Sequence, residues 1–191
     1  MPFEPIESIS AERLTLRPVA ERDLADLLEI NGDPEVTRFL PYATWQSPGD
    51  GIAWLRRMEA LALAGTGRQL VLVRNADARV VGTLLLFRFD ETSARLELGY
   101  VLGRPYWGQG LMGEALEAAC SHAFSAMAVR RIEAEVDPAN VASNRLMQRL
   151  GFTREGTLRK RWMAKGGAYD THFYGCLAEE WRRGAAAAAH G

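Results

Sequence analysis

The 191-residue sequence is short of most features that would assign it quickly. It has two cysteines, Cys120 and Cys176, far apart and without CxxC spacing, which excludes a cysteine zinc site or a dithiol redox site. So little cysteine suits a reducing compartment, and the expected location is the cytoplasm. No apolar run approaches the ~18 residues of a membrane span, because charged residues interrupt every one, so no membrane partner is expected. Residues 1–10 carry Glu4 and Glu7 and have neither a basic start nor an apolar centre, so they do not read as a signal peptide. Charge of neither sign is in excess: 23 Lys and Arg face 24 Asp and Glu, a net charge of −1. That balance excludes the broad basic field of a dedicated nucleic-acid binder, and any polyanion must be held locally by main-chain groups. There is no internal repeat. The one low-complexity stretch, the alanine-rich 184–191, has nothing to pack with and is expected to fray, outside a single domain of 1–183.

What remains, 48% apolar and 25% charged residues, is the composition of a soluble globular chain. Leu14 and Leu16 alternate with polar neighbours in RLTLRP, 13–18, which predicts a strand. Leu24, Leu27 and Leu28 recur at helical spacing until Asn31, Gly32 and Pro34 stop the helix. A second helix starts at SPGD, 47–50, where Ser47 can cap, Pro48 fits the first turn and Asp50 stands at the capping-box position. Its buried stripe is Trp54, Met58 and Leu61. Runs at 69–74, 80–89 and 95–102 predict an antiparallel meander. A helix over 111–127, with Met112, Leu116, Ala119, Ala123 and Met127 on one face, precedes a strand at 131–136, which makes that pair locally parallel. A short helix at 140–150, ended by Gly151, and strands at about 153–159 and 168–177 complete the chain. The fold class is α/β (α+β), a mixed, mostly antiparallel central sheet of about seven strands with helices on both faces.

The segment with chemical content is YWGQGLMGE, 106–114, which sets three glycines between a strand and a helix. Glycine allows a tight turn and close approach of a ligand to the main chain. The first N–H groups of the helix lack internal partners and lie at the positive end of its dipole, where a pyrophosphate can bind. By itself a glycine turn before a helix is more often plain punctuation. Gly108, Gly110 and Gly113 match the spacing of the dinucleotide fingerprint but follow a meander, not a first parallel strand. No Gly-Lys-Ser or Gly-Lys-Thr follows, so it is not a P-loop.

RLELGYVL (95–102), RPYWGQGLMGEA (104–115) and DPANVASNRLMQRLGF (137–152) together resemble the GNAT superfamily of acetyl-CoA-dependent N-acetyltransferases. The closer resemblance is to the Rim-type branch that acetylates ribosomal-protein N-termini. RLTLRP at 13–18, DPEVTRFLP at 33–41, REGTLR at 154–159 and the closing segment 166–174 extend the likeness over about residues 11–181 in the family's order. The resemblance implies acetyl-CoA as co-substrate, its pyrophosphate on the main chain around Gly108, with the N–H groups of Gln109, Gly110, Leu111, Met112, Gly113 and Glu114. It implies that the preceding strand splays from its neighbour and pairs with the pantetheine arm at Val101 and Leu102. Asn140 matches the asparagine beside the cofactor, with Ser143 and Arg145 following it.

This sequence departs from the family at one telling place. Many members carry a tyrosine seven residues after that asparagine as the acid for the leaving thiolate; here the residue is Met147, which has no proton to give. Ser143 is the nearest substitute, and its plainer reading is a helix-surface hydroxyl. Glu97, alternating away from Leu96 and Leu98, is the candidate base, or else a solvated strand carboxylate. His172, alone in the last strand, reads as structural, and Cys120 and Cys176 as small core residues. Tyr42 and Trp45 stand where the family admits the acceptor, or anchor that loop by packing.

Direct attack in a ternary complex needs neither a metal nor a nucleophilic cysteine. At pH 7 an α-amine costs about 1 kcal/mol to deprotonate and a lysine about 4.6 kcal/mol. A site with no tyrosine acid therefore suits a protein N-terminal α-amine, the alternatives being a small amine or a silent acyl-CoA-binding module. The chain is expected to act as a monomer or homodimer.

Overall fold

The computed structural model describes residues 6–181, and the alanine-rich stretch 184–191 lies outside the described residues. One eight-stranded sheet organises them. Its first strands are β1 (Ile9–Ser10) and β2 (Leu14–Pro18). Three helices follow: α1 (Leu24–Asn31), α2 (Pro34–Thr37) and α3 (Pro48–Leu63). The meander is β3 (Gly67–Arg74), β4 (Val80–Asp90) and β5 (Arg95–Leu102). Then come α4 (Leu111–Ser125), β6 (Arg131–Val136), α5 (Val141–Arg149) and the hairpin β7 (Thr153–Ala164) and β8 (Gly167–Leu177). The strand order is β1-β2-β3-β4-β5-β6-β8-β7, antiparallel throughout except between β5 and β6. The expected mixed sheet is therefore present with one strand more than seven, since β1 has only two residues and leaves no alternation to read.

Alternation along the strands divides the core. Leu70, Leu72, Leu96, Leu98, Ile132 and Ala134 face α4 and α5, where Leu116, Ala119, Ala123 and Met147 meet them. Val71 points to the other face, against Leu27, Ile30, Trp45, Trp54 and Leu55. Alanines along α4 let that helix lie close on the sheet. Its C-terminus falls at Ser125, earlier than the Met127 expected. The second helix begins as expected: the Asp50 carboxylate accepts the N–H of Ser47 at 2.9 Å and of Gln46 at 2.8 Å. β7 runs five residues beyond the predicted 159, because as an exposed edge strand it carries charged residues on both faces and shows no apolar period.

Two features of the sheet create the site. The first is that β5 and β6 pair only at Arg95, Leu96 and Glu97, opposite Arg131, Ile132 and Glu133. Beyond Glu97 each strand is held from its far side alone, β5 by β4 out to Leu102 and β6 by β8 out to Val136, so the two splay into a V. The second is the β7–β8 hairpin, closed by Lys165 and Gly166 at φ 49° and 79°, the positive values a two-residue hairpin turn requires. From that tip Lys165 Nζ donates to the carbonyls of Thr37 at 2.5 Å and Arg38 at 3.2 Å, tying the hairpin to the end of α2. Lys165→Ala removes this tie. Hydrogen exchange at the hairpin tip should accelerate about fivefold, the value of one hydrogen bond worth about 1 kcal/mol; unchanged protection would show that the tie holds nothing.

Candidate active site

A cleft of about 1090 Å³ opens between the splayed strands and runs beneath the β7–β8 hairpin. One end is the glycine turn. Gly108 and Gly110 have φ of 73° and 77°, which L side chains rarely adopt, and Gly110 is the N-cap of α4. The first bond of the helical ladder runs from the Glu114 N–H to the Gly110 carbonyl at 3.1 Å. The N–H groups of Leu111, Met112 and Gly113 precede that ladder, at residues that line the cleft together with Gly108 and Gly110. This cradle fits a pyrophosphate. Two residues of the turn do something else. The Glu114 N–H is spent inside the helix, and its carboxylate accepts the Arg13 backbone N–H at 2.6 Å and Nε at 2.7 Å. Gln109 does not line the cleft: its carbonyl accepts Arg13 Nη1 at 3.0 Å and its side chain donates to Pro105 O at 2.9 Å. Arg13 thus turns the Gln109 carbonyl toward itself and pins the turn to β2.

Along the V, Val101 and Leu102 line the cleft, and the Leu102 carbonyl accepts Trp107 Nε1–H at 2.7 Å. On the opposite wall Asn140 caps α5, its Oδ1 accepting the Ser143 N–H at 3.2 Å. Ser143 and Leu146 lie on one face of α5, one and two turns in, and both line the cleft. Arg145 points elsewhere: it is exposed and off the cleft wall, whereas Arg149, three residues beyond Leu146, is on it. Met147, in place of the family tyrosine, is fully buried in the core and does not reach the cleft.

At the vertex lies Glu97, on the last shared rung of β5 and β6 and 5% exposed. Burial raises its carboxyl above the ordinary carboxylate range, and the Arg88 guanidinium, 2.7 Å from Oε2, offsets part of that rise. Arg88 reaches it from a β4 irregularity between Phe87 and Asp90, where its own φ is 53°. It also lies 3.4 Å from Glu135 Oε1, whose Oε2 accepts Trp162 Nε1–H at 2.6 Å. Two carboxylates therefore share the cleft wall beneath the hairpin, each with a fixed counter-charge or donor. The solvated reading of Glu97 is excluded.

The two acceptor candidates part company. Tyr42 lines the cleft, with its hydroxyl donated to Asn31 Oδ1 at 2.8 Å and its ionisation pushed up by burial. Trp45 is 5% exposed, packs on Trp54 with ring centroids 5.6 Å apart and does not line the cleft, so its place in the structure corrects the acceptor expectation to a packing one. His172 is also off the wall, its Nδ1 2.8 Å from Asn144 Oδ1. Cys120 and Cys176 are buried and free.

Sequence reading missed Arg13, Arg88, Glu135 and Tyr100. Tyr100 is a polar-ended residue in the apolar phase of Leu96, Leu98 and Leu102, a buried-face tyrosine whose hydroxyl must find a partner; that much was legible. Arg88 was not, since only the irregularity in β4 aims it at Glu97.

The chain is similar to known proteins in sequence and in fold. The family described as acetyltransferase (GNAT) domain matches residues 13–153. The chain is 31% identical over 176 residues to the uncharacterized N-acetyltransferase p20 of Bacillus licheniformis, spanning 92% of this chain and 99% of that protein. It is 34% identical over 87 residues to the ribosomal protein uS5-alanine N-acetyltransferase of Escherichia coli, 46% of this chain and 45% of that one. In fold it matches Mycobacterium smegmatis RimJ, solved in complex with CoA-disulfide, with a TM-score of 0.83 at 23% identity, over 95% of this chain and 94% of that one.

Proposed function

The chain belongs to the GNAT acetyltransferase family and is an acetyl-CoA-dependent N-acetyltransferase, and on that premise we propose that its acceptor is a protein N-terminal α-amine, acetylated by direct attack. The observation that carries this reading is the tie from Lys165 to the end of α2, which joins two elements that line the cleft together with Glu97 and Glu135. A chain end threads beneath such a bridge, whereas a lysine on a folded surface meets it broadside. The name of the E. coli relative, a ribosomal-protein alanine N-acetyltransferase, points to a protein acceptor.

In the proposed reaction acetyl-CoA lies along the V, its pyrophosphate on the N–H groups of Leu111, Met112 and Gly113 and its amide arm along β5 at Val101 and Leu102. The neutral amine attacks the thioester carbonyl carbon; a C–N bond forms and the C–S bond breaks. Glu97, directly or through water, takes the proton the nitrogen sheds, and its raised affinity for a proton makes it the better base. The departing sulfur receives a proton from the Ser143 hydroxyl, which water in the cleft restores. Ser143→Ala should lower kcat about tenfold with the KM for acetyl-CoA unchanged, as for loss of an interaction made only in the transition state. Unaltered kcat would remove Ser143 from the reaction.

The acceptor is tested by following thiol release with peptides bearing a free N-terminus, the same peptides N-blocked but carrying an internal lysine, and free small amines. Turnover confined to the first group is expected. Saturable turnover with the small amines alone would overturn the reading, and acetyl-CoA binding with no acceptor anywhere would leave a silent binding module.

A further inference from the structure

Ser143 occupies an unusual position for a helical serine. Such hydroxyls ordinarily bond back to the carbonyl three or four residues earlier. Here the Asn140 carbonyl is filled, accepting the Asn144 N–H at 3.0 Å and the Asn144 side-chain amide at 2.8 Å, and the Ala139 carbonyl already accepts the Val141 N–H at 3.0 Å. The Ser143 backbone N–H is held by Asn140 Oδ1. What reaches the Ser143 oxygen is a donor, the Tyr100 hydroxyl, at 2.9 Å across the cleft from β5. Burial pushes the Tyr100 ionisation up to about 12, so the phenol keeps its hydrogen at any working pH. With one lone pair of Ser143 Oγ occupied by Tyr100 and the Asn140 carbonyl filled, the serine hydrogen is free to turn toward the open cleft that both residues line.

We infer that Tyr100 is a positioning residue, which by donating to Ser143 Oγ aims the serine O–H at the thioester sulfur and so replaces the tyrosine this chain lacks at Met147. The inference rests on the acid role proposed for Ser143. Tyr100 itself gives up no proton: its hydrogen remains on the phenol and is shared with Ser143 Oγ throughout.

The test is a double-substitution cycle on the full chain, read as kcat and KM with acetyl-CoA and an accepted amine. Tyr100→Phe keeps the ring and its packing and should lower kcat about fivefold, leaving the KM for acetyl-CoA unchanged. Because Tyr100 acts only through Ser143, Tyr100→Phe added to Ser143→Ala should cost nothing further, so that the double variant matches Ser143→Ala alone. A merely structural tyrosine gives a different result, with losses that multiply, and that outcome would overturn the inference. So would full kcat in a folded Tyr100→Phe, or a change confined to KM. Full kcat in Ser143→Ala defeats the acid assignment first, which separates failure of that reading from failure of this one, where Ser143→Ala is impaired and Tyr100→Phe is not.

Discussion

Replacing Gly110 with proline should weaken acetyl-CoA binding at least about 100-fold, a loss of about 2.8 kcal/mol at 1.4 kcal/mol per factor of ten. The proline ring holds φ near −65°, and Gly110 stands at 77°, so the turn cannot survive in place. The damage spreads in both directions. The Gly110 carbonyl opens the α4 ladder by accepting the Glu114 N–H, and Arg13 packs 3.5 Å from where a Cβ at 110 would stand. Once the turn moves, the N–H groups of Leu111, Met112 and Gly113 no longer converge on one point, and a charge of −1 for the whole chain leaves no diffuse basic field to compensate. Titration calorimetry with acetyl-CoA measures the effect. Gly151→Ala is the control: Gly151 has φ 82°, ends α5 and has open space around a Cβ. It should cost about 1–2 kcal/mol of stability by the same backbone strain and leave affinity untouched. Undiminished affinity in a folded Gly110→Pro would mean that the anion sits elsewhere.

Glu97→Gln should reduce kcat/KM for the amine at least about 100-fold, the contribution expected of a positioned general base, with acetyl-CoA affinity unchanged. Its pH signature is distinctive. Burial lifts the Glu97 carboxyl above its ordinary value, and only the ionised form accepts a proton, so activity in the parent enzyme falls as pH drops through a point above the ordinary carboxylate range. Protonation of the amine itself also lowers activity as pH falls, so Glu97 appears as an added, steeper step in the acid limb; an amide cannot ionise, and in the variant only the amine's own limb remains. The linkage to stability has the opposite sense to that of most carboxylates. A proton held more tightly in the folded than in the unfolded chain gives a contribution present below the unfolded value and lost as pH rises through the folded one. At neutral pH Glu97 therefore opposes folding, the Arg88 pair offsetting part of the cost, and the melting temperature of Glu97→Gln should stay close to the parent's. A variant that melts like the parent and retains both full activity and the steeper step of the acid limb would exclude Glu97 as the base.

The elements that could be read in advance are those whose burial is one-sided. β5 alternates Leu96 and Leu98 on its apolar face with Glu97 on the cleft face, and the α4 stripe from Met112 to Ala123 follows the 3.6 period, so both announce themselves. β1 is too short and β7 too uniformly exposed to leave a period. The glycine turn was legible because two of its residues need backbone angles few others tolerate. The charge cluster was half legible: Glu97 stood out by alternation, while Arg88 depends on an irregular strand and Glu135 on a hairpin that brings Trp162 to it from 27 positions away. Trp45 shows the converse error, an aromatic in a functional loop that the fold uses as filler. Side-chain direction, rather than residue type, was the missing information in each case.

The three shared rungs between β5 and β6 carry one more consequence. Strands β1 to β5 and β6 to β8 are joined along the sheet by that short seam alone. A guest lying in the V with its own amides presented to the bare edge of β5 would mend the lattice, serving as a borrowed strand. Recognition of this kind is blind to side-chain identity along Leu98 to Leu102, because peptide groups are the same at every position. The seam, and not the residues beside it, is then what the fold must preserve, because it alone sets where the two strands part and hence where such a guest can lie.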